Sequence, residues 1–168
     1  LSFRHTKITM TDIKKVKIMI MQKDALNNVN ISEELVLITP EELKQKYPLS
    51  RNDLHAITQS RQTISEIVQR RDPRLLVVCG PCSIHDVDVA LDYAKRLKVL
   101  ASELSDSLYI VMRVYFEKPR TTVGWKGLIS DPFMDGSFEM EKGLHIARKL
   151  LTELVQLGLP LATEALDP

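Results

Sequence analysis

The alternation of apolar runs and helical patterns after Arg74 is the feature that most constrains the fold. Leu75–Cys79 is a continuous apolar run typical of a buried strand, and residues 108–112 form a second. Helical spacing follows each run, and a third apolar stretch covers residues 159–166. This order of strands and helices requires parallel crossover connections. It predicts an α/β fold, either a doubly wound sheet or the opening of a (β/α)₈ barrel.

The glycines and the composition exclude several classes of function. None of the six glycines forms Gly-x-Gly-x-x-Gly or Gly-x-x-x-x-Gly-Lys-Ser/Thr, so no dinucleotide fingerprint or P-loop is present. A net charge of +1 gives no field for nucleic acid or anionic membrane, and no apolar run reaches the ~20 residues of a membrane span. With two cysteines and no signal-peptide pattern, we expect a cytoplasmic protein.

Two capped helices are predicted before the first strand. Thr39-Pro-Glu-Glu42 is a capping box with proline at the first helical position, and its helix is expected to end near Tyr47. Ser50-Arg-Asn-Asp53 repeats the signal and starts a longer helix that stops before Pro73.

Cys79-Gly-Pro-Cys82 has the spacing of a redox pair, but three interpretations remain open. A dithiol site would carry its first cysteine at a helix N-terminus, whereas Cys79 completes an apolar run and the helix cap Asp86 comes later. Both cysteines could be inert core residues. The third interpretation, a single functional Cys82 just past a parallel strand, is favoured by its position.

A basic segment follows the second strand. Arg113 closes that strand, and Lys118, Arg120 and Lys126 follow with only Glu117 to balance them. A solvated loop is the ordinary interpretation of such a run. An unpaired cation at the end of a buried strand, however, raises the free energy of the folded state. The planar guanidinium group of arginine can donate two parallel hydrogen bonds to a phosphate. The alternative is therefore a site for a polyanionic substrate; a single tryptophan is weak support for nucleic acid.

Two further residues are candidates. Glu164, in the predicted third strand, is either tied to a neighbouring cation or part of the site. His85, three residues after Cys82, is disfavoured as a metal ligand because it precedes a helix cap and could equally orient the loop.

Four ordered motifs together resemble one enzyme family. They are Gly80-Pro-Cys-Ser-Ile-His-Asp86, the run from Met112 to Thr121, Val123-Gly-Trp-Lys-Gly-Leu-Ile129 and Ala162-Thr-Glu-Ala-Leu-Asp167. They are similar to 3-deoxy-D-arabino-heptulosonate 7-phosphate (DAHP) synthase of the microbial, feedback-regulated type. The resemblance runs from about Met21 to Pro168, and its start is most similar to the tyrosine-sensitive isozyme.

The resemblance implies the N-terminal part of a (β/α)₈ barrel, its first three βα steps, behind a helical extension. It implies a transferase of the shikimate pathway that joins phosphoenolpyruvate to erythrose 4-phosphate and water and releases phosphate. It also implies a divalent metal ion (Mn, Fe, Co or Zn), tyrosine as feedback inhibitor and a homo-oligomer.

Residue roles follow from the same resemblance. Cys82 corresponds to a metal ligand, Arg113 and Lys118 to residues that face phosphoenolpyruvate, and Glu164 to an acid near them. Arg120 and Thr121 would bind the phosphate of erythrose 4-phosphate. The effector site is assigned to Asn27 and Asn28.

The resemblance also implies three regions. Residues 1–20, which have no counterpart in the family, are expected to be upstream sequence or a disordered tail. Residues 21–73 would be a regulatory and oligomerisation extension, and residues 74–168 the first part of the catalytic barrel. Further ligands of the family lie beyond Pro168, so we expect the 168-residue chain alone to be inactive. The alternatives are a regulatory or assembly module and a Cys-x-x-Cys thiol-disulfide oxidoreductase.

Overall fold

The computed structural model describes residues 36–118 and 123–164. The predicted residues Asn27, Asn28, Arg120 and Thr121 lie outside these ranges. The segment from Leu37 onward belongs to one compact unit. Its elements, in chain order, are helix α1 (Pro40–Lys46), helix α2 (Arg51–Val68), strand β1 (Leu75–Cys79), helix α3 (Val87–Glu103), strand β2 (Leu108–Arg113), helix α4 (Met140–Gln156) and strand β3 (Leu161–Ala162).

The predicted helix starts are present. Thr39 and Ser50 each form a capping box, in which the hydroxyl accepts from a backbone N–H of the first turn and an acid returns to the cap residue. Asp86 caps α3 by accepting from the N–H of Val89 at 2.9 Å. No helix in the described ranges is both long enough and apolar enough to cross a bilayer.

The three strands form a parallel sheet in the order β1-β2-β3. β1 pairs along its whole length, from Leu75 beside Leu108 to Cys79 beside Met112. All three carboxyl ends therefore lie at one edge of the sheet, where sites of parallel α/β folds are built.

The third strand is shorter than predicted. Among the described residues of the predicted range 159–166, Leu161 and Ala162 alone pair with β2, and Thr163 and Glu164 follow without strand structure, so the predicted start and the strand assignment of these two residues were wrong. Pro160 has no N–H to give to a ladder, which contributes to the late start. The side chain of Glu164 binds backbone N–H groups beyond β2 instead.

The core lies where β2 meets α3 and α4. The helices contribute the small residues Ala90, Ala94 and Ala147 together with leucines, which lets them pack closely on the sheet. The largest fully buried side chains are Met112, Leu128, Leu150, Leu154, Val111 and Val114. Because β2 is central and buried, the positions of residues just after Arg113 are set by a well-packed element.

Candidate active site at the carboxyl edge of the sheet

The segment after β1 is held close to the end of β2. A Cβ added to Gly80 would lie 2.4 Å from the backbone oxygen of Arg113, so only glycine permits this approach. The N–H of Ile84 donates to the carbonyl of Tyr115 at 2.7 Å, and Ile84 is buried. Cys82, between these two anchors, is exposed beside the continuation of β2.

Arg113 braces the same segment. Its Nε donates to the carbonyl of Pro81 at 3.0 Å, and its Nη2 donates to that of Gly80 at 3.1 Å. The guanidinium also lies over the ring of Tyr115, with 5.0 Å from Cζ to the ring centroid. These two hydrogen bonds use two of the five N–H groups of arginine, which leaves three for other acceptors. The cation at the strand end is thus partnered by backbone oxygens.

Lys118 reaches back to the cysteine. Its Nζ donates to Cys82 Sγ at 2.8 Å, in an exposed part of the site. In general, a cationic group beside a cysteine attracts the negative charge of a thiolate, which is the nucleophilic and metal-binding form of cysteine. Lys118 therefore contacts the segment after β1 and does not extend freely into solvent.

Glu164 binds the backbone just before Lys118. Its Oε1 accepts from the N–H of Phe116 at 2.8 Å and from that of Glu117 at 2.7 Å. Its Oε2 accepts from the hydroxyl of Thr163 at 3.0 Å. Burial raises the pKa of Glu164, but the hydrogen bonds from the backbone and from Thr163 outweigh it and leave that pKa below its usual value. Glu164 is therefore a carboxylate at neutral pH.

The chain after β2 folds back as a narrow antiparallel ribbon. Glu117 bridges to Gly127, the N–H of Lys118 donates to the carbonyl of Lys126 at 2.9 Å, and the N–H of Leu128 donates to that of Phe116 at 2.6 Å. Phe116 and Leu128 are buried at its base. The ribbon was not predicted, because its residues show no alternation of apolar and polar side chains.

Glu117 is a site residue that the sequence patterns did not identify. Its Oε2 accepts from the hydroxyl of Ser130 at 3.0 Å, whereas its Oε1 is buried without a hydrogen-bond partner among the described residues. Burial and the charge of Glu164 raise the pKa of Glu117, which the hydrogen bonds from Ser130 and from the N–H groups of Ile129 and Ser130 only partly offset. Its only sequence signal was its position as the single acid among cations.

One described residue near the strand edge has the chemistry of a metal ligand. Within residues 36–118 and 123–164, no three side chains of His, Cys, Asp or Glu come together as a ligand set. Cys82 Sγ is a suitable donor for a transition metal, since it is exposed at the strand edge. His85 packs edge-on against Trp125, with 6.5 Å between the ring centroids.

The two cysteines differ in their surroundings. Cys79 is the last residue of β1 and is half-buried, whereas Cys82 is exposed three residues later. Both are thiols that are not joined by a disulfide bond. α3 begins only at Val87, so neither thiol lies at a helix N-terminus, where a redox cysteine would be activated. The geometry thus lacks the arrangement on which the redox interpretation depended.

The fold and the polar groups at the carboxyl edge of the sheet define a class of protein. The chain has the first βα steps of a barrel, with its polar groups at the carboxyl ends of the strands. The chain belongs to the DAHP synthetase I family, whose model matches residues 42–168. The fold prediction, an α/β chain containing the start of the barrel, is confirmed by the solved phospho-2-dehydro-3-deoxyheptonate aldolase of Francisella tularensis SCHU S4. The two share 49% identity with a TM-score of 0.79, over 82% of this chain and 40% of that one.

Curated relatives carry the same enzyme name. The chain is 72% identical over 148 residues to the Tyr-sensitive phospho-2-dehydro-3-deoxyheptonate aldolase of Escherichia coli K12, covering 88% of this chain. It is 53% identical over 141 residues to the Phe-sensitive enzyme of that organism. The chain spans 42% and 40% of the length of these two relatives. The predicted family resemblance, with greater similarity to the tyrosine-sensitive type, is confirmed.

Proposed function

We propose that this chain forms the first part of the active site of a DAHP synthase. The reaction is the condensation of phosphoenolpyruvate with erythrose 4-phosphate and water to give 3-deoxy-D-arabino-heptulosonate 7-phosphate and phosphate, the first step of the shikimate pathway. The observation that carries the proposal is the convergence of Cys82, Arg113 and Lys118 at one edge of the sheet, within a chain of this family.

The residues suit the charges of the substrates. Phosphoenolpyruvate carries a phosphate and a carboxylate, and Arg113 keeps three N–H groups for such acceptors. Lys118, at the start of the ribbon, would stabilise or protonate the alkoxide that develops on the aldehyde oxygen as C3 of the enol attacks. Water adds at C2, and phosphate leaves with cleavage of its C–O bond. Arg120 and Thr121 are proposed to bind the phosphate of erythrose 4-phosphate.

Cys82 is the residue of this chain that would hold a divalent metal ion. When bound, Mn, Fe, Co or Zn would supply Lewis-acid polarisation of the aldehyde. The cysteine must stay reduced to bind metal as a thiolate, which a cytoplasmic location would ensure. Further ligands would have to come from outside the described residues, since these do not supply a set of three.

We also propose that residues 21–73 regulate and assemble the enzyme, with Asn27 and Asn28 in a tyrosine site. The support is the contact between the extension and the barrel part of the chain. Arg148 Nη2, on α4, donates to the carbonyl of Tyr47 at 3.2 Å, and the Tyr47 ring packs edge-on against His145. This contact links the segment after α1 to a helix of the catalytic part.

The test is a chimera in which this chain replaces the 148-residue stretch that it matches in the E. coli Tyr-sensitive relative. We expect the chimera to consume both substrates and to be inhibited by tyrosine. Its Cys82→Ser variant should be inactive and should no longer recover with added metal after chelation. A chimera that folds but does not turn over the substrates would refute the proposal.

Two further measurements separate the parts of the proposal. The 168-residue chain on its own should show no turnover; measurable activity would overturn that expectation. Deletion of residues 21–50 from the chimera should abolish tyrosine inhibition and spare catalysis. Inhibition that persists would place the effector site elsewhere.

A further inference from the structure

Glu164 occupies an unusual position for an acid beside a site that binds anions. It follows β3 by two residues, yet both hydrogen bonds of its Oε1 go to the chain beyond β2, 47 and 48 positions earlier. A carboxylate that faced phosphoenolpyruvate directly would repel it. The hydrogen bonds described for the Glu164 carboxylate come instead from the N–H groups of Phe116 and Glu117, from its own N–H and from the hydroxyl of Thr163.

The backbone that Glu164 binds leads directly to Lys118. The second N–H belongs to Glu117, the residue before the lysine, and the lysine N–H is fixed in turn by the carbonyl of Lys126. One peptide unit therefore separates the carboxylate contact from the Cα of Lys118. Its side chain then spans to Cys82, whose segment is held independently by Arg113.

We propose that Glu164 is a positioning residue, which holds Lys118 against Cys82 by binding the Phe116 and Glu117 N–H groups. This refines the expectation from the family resemblance, in which Glu164 is an acid near phosphoenolpyruvate, and it rests on the proposed function for its catalytic meaning. The carboxylate at the end of β3 fixes the chain after β2, and so sets the distance between the two reactive side chains. Without it, the ribbon keeps its own hydrogen bonds but loses its connection to β3.

The contact geometry gives a clean pair of variants. Both N–H groups donate to the same oxygen, Oε1, so the single carbonyl oxygen of a glutamine can accept both. Glu164→Gln therefore keeps the two hydrogen bonds from the backbone N–H groups and removes the negative charge. Glu164→Ala removes both the hydrogen bonds and the charge. Thr163→Val is the matched control, because it deletes the neighbouring hydroxyl contact to Oε2 and leaves the two hydrogen bonds to Oε1 in place.

The first readout is the alkylation rate of Cys82 by iodoacetamide at neutral pH, in the 168-residue chain with Cys79→Ser, so that one thiol reports. We expect Glu164→Ala to lower the rate about as far as Lys118→Met does, because the ammonium group of Lys118 would no longer be held beside the Cys82 thiol. Glu164→Gln and Thr163→Val should match the parent. Circular dichroism verifies that each variant is folded. An unchanged rate in Glu164→Ala, or equal losses in the Ala and Gln variants, would overturn the proposal.

The second readout is the kinetics of the same variants in the chimera. Glu164→Ala should lose about tenfold or more in kcat, while Glu164→Gln keeps most of it and an unshifted pH profile. Equal loss in both variants would mean that the charge of Glu164 acts on the reacting groups, and the positioning role would be wrong. An inactive parent chimera would count against the proposed function alone, because the alkylation rates still decide the role of Glu164.

Discussion

Lys118 and Cys82 are 36 positions apart in the chain, yet Nζ of the lysine lies 2.8 Å from the cysteine Sγ. Each is held by its own set of contacts: the cysteine segment by the end of β2, and the lysine by the ribbon and Glu164. The distance between these two side chains therefore depends on the contacts of both segments. The reactivity of the Cys82 thiol can be measured without substrate.

The first prediction concerns that pair directly. Lys118→Met should slow alkylation of Cys82 by about tenfold at neutral pH, since the neutral side chain no longer favours the thiolate. The measurement is the rate with iodoacetamide, followed by mass spectrometry. Lys95→Met, on the exposed face of α3, is the matched control and should leave the rate unchanged. Equal effects of the two variants would show that bulk charge, not contact, sets the reactivity.

The second prediction concerns the close approach at Gly80. Gly80→Ala should destabilise the fold by about 3 kcal/mol or more, because its Cβ would lie 2.4 Å from the rigid backbone oxygen of Arg113. Gly136→Ala is the comparison: it has a positive φ of 74° but no atom within 4 Å, and should cost only about 1–2 kcal/mol. Urea unfolding followed by circular dichroism measures both. If Gly80→Ala lowered the free energy of unfolding no more than Gly136→Ala does, the steric clash expected at position 80 would be contradicted.

The third prediction concerns the pH dependence of stability. Burial, aided by the charge of Glu164, raises the pKa of Glu117 above its usual value of about 4.5, so the folded protein holds this proton more tightly than the unfolded chain. The protonated Glu117 therefore adds to the free energy of unfolding below pH 4.5, and this contribution is lost as the pH rises through the raised pKa. Glu117→Gln cannot ionise and should therefore gain stability relative to the parent as the pH rises.

Urea midpoints for the parent and Glu117→Gln at about pH 4 and pH 8 test this. Glu103→Gln, at the exposed end of α3, is the control and should show no such change with pH. A constant difference between the parent and Glu117→Gln at both pH values would mean that Glu117 ionises as freely in the folded protein as in the unfolded chain.

The fourth prediction separates the single-thiol interpretation from the dithiol one. Cys79→Ser changes the half-buried last residue of β1 and leaves Cys82 in place, so metal-dependent activity of the chimera should persist. A dithiol oxidoreductase needs both cysteines and would lose activity with either change. Insulin reduction by the parent chain, abolished in Cys79→Ser, would support the redox alternative.

The local signals in the sequence were sufficient for the elements and for much of the site. Capping residues and hydrophobic periodicity depend on neighbours a few positions away, so the starts of α1, α2 and α3 were predicted at their caps Thr39, Ser50 and Asp86. Strand order also indicated that Cys82 follows the carboxyl end of β1 and that Arg113 closes β2. The placement of these two residues at one sheet edge therefore follows from local patterns, whereas Glu164 was expected inside the third strand.

Long-range contacts determined the rest. The ribbon after β2, the short β3 and the half-buried acid Glu117 have no local pattern, because they depend on pairings between residues 8 to 49 positions apart. The sequence by itself determined the parallel α/β framework and the chemical types at its edge. Only the tertiary structure decided that Glu164 binds backbone N–H groups and that Lys118 reaches Cys82. Hydrogen bonds of that kind form between groups that the packed sheet brings together, and no periodicity encodes them.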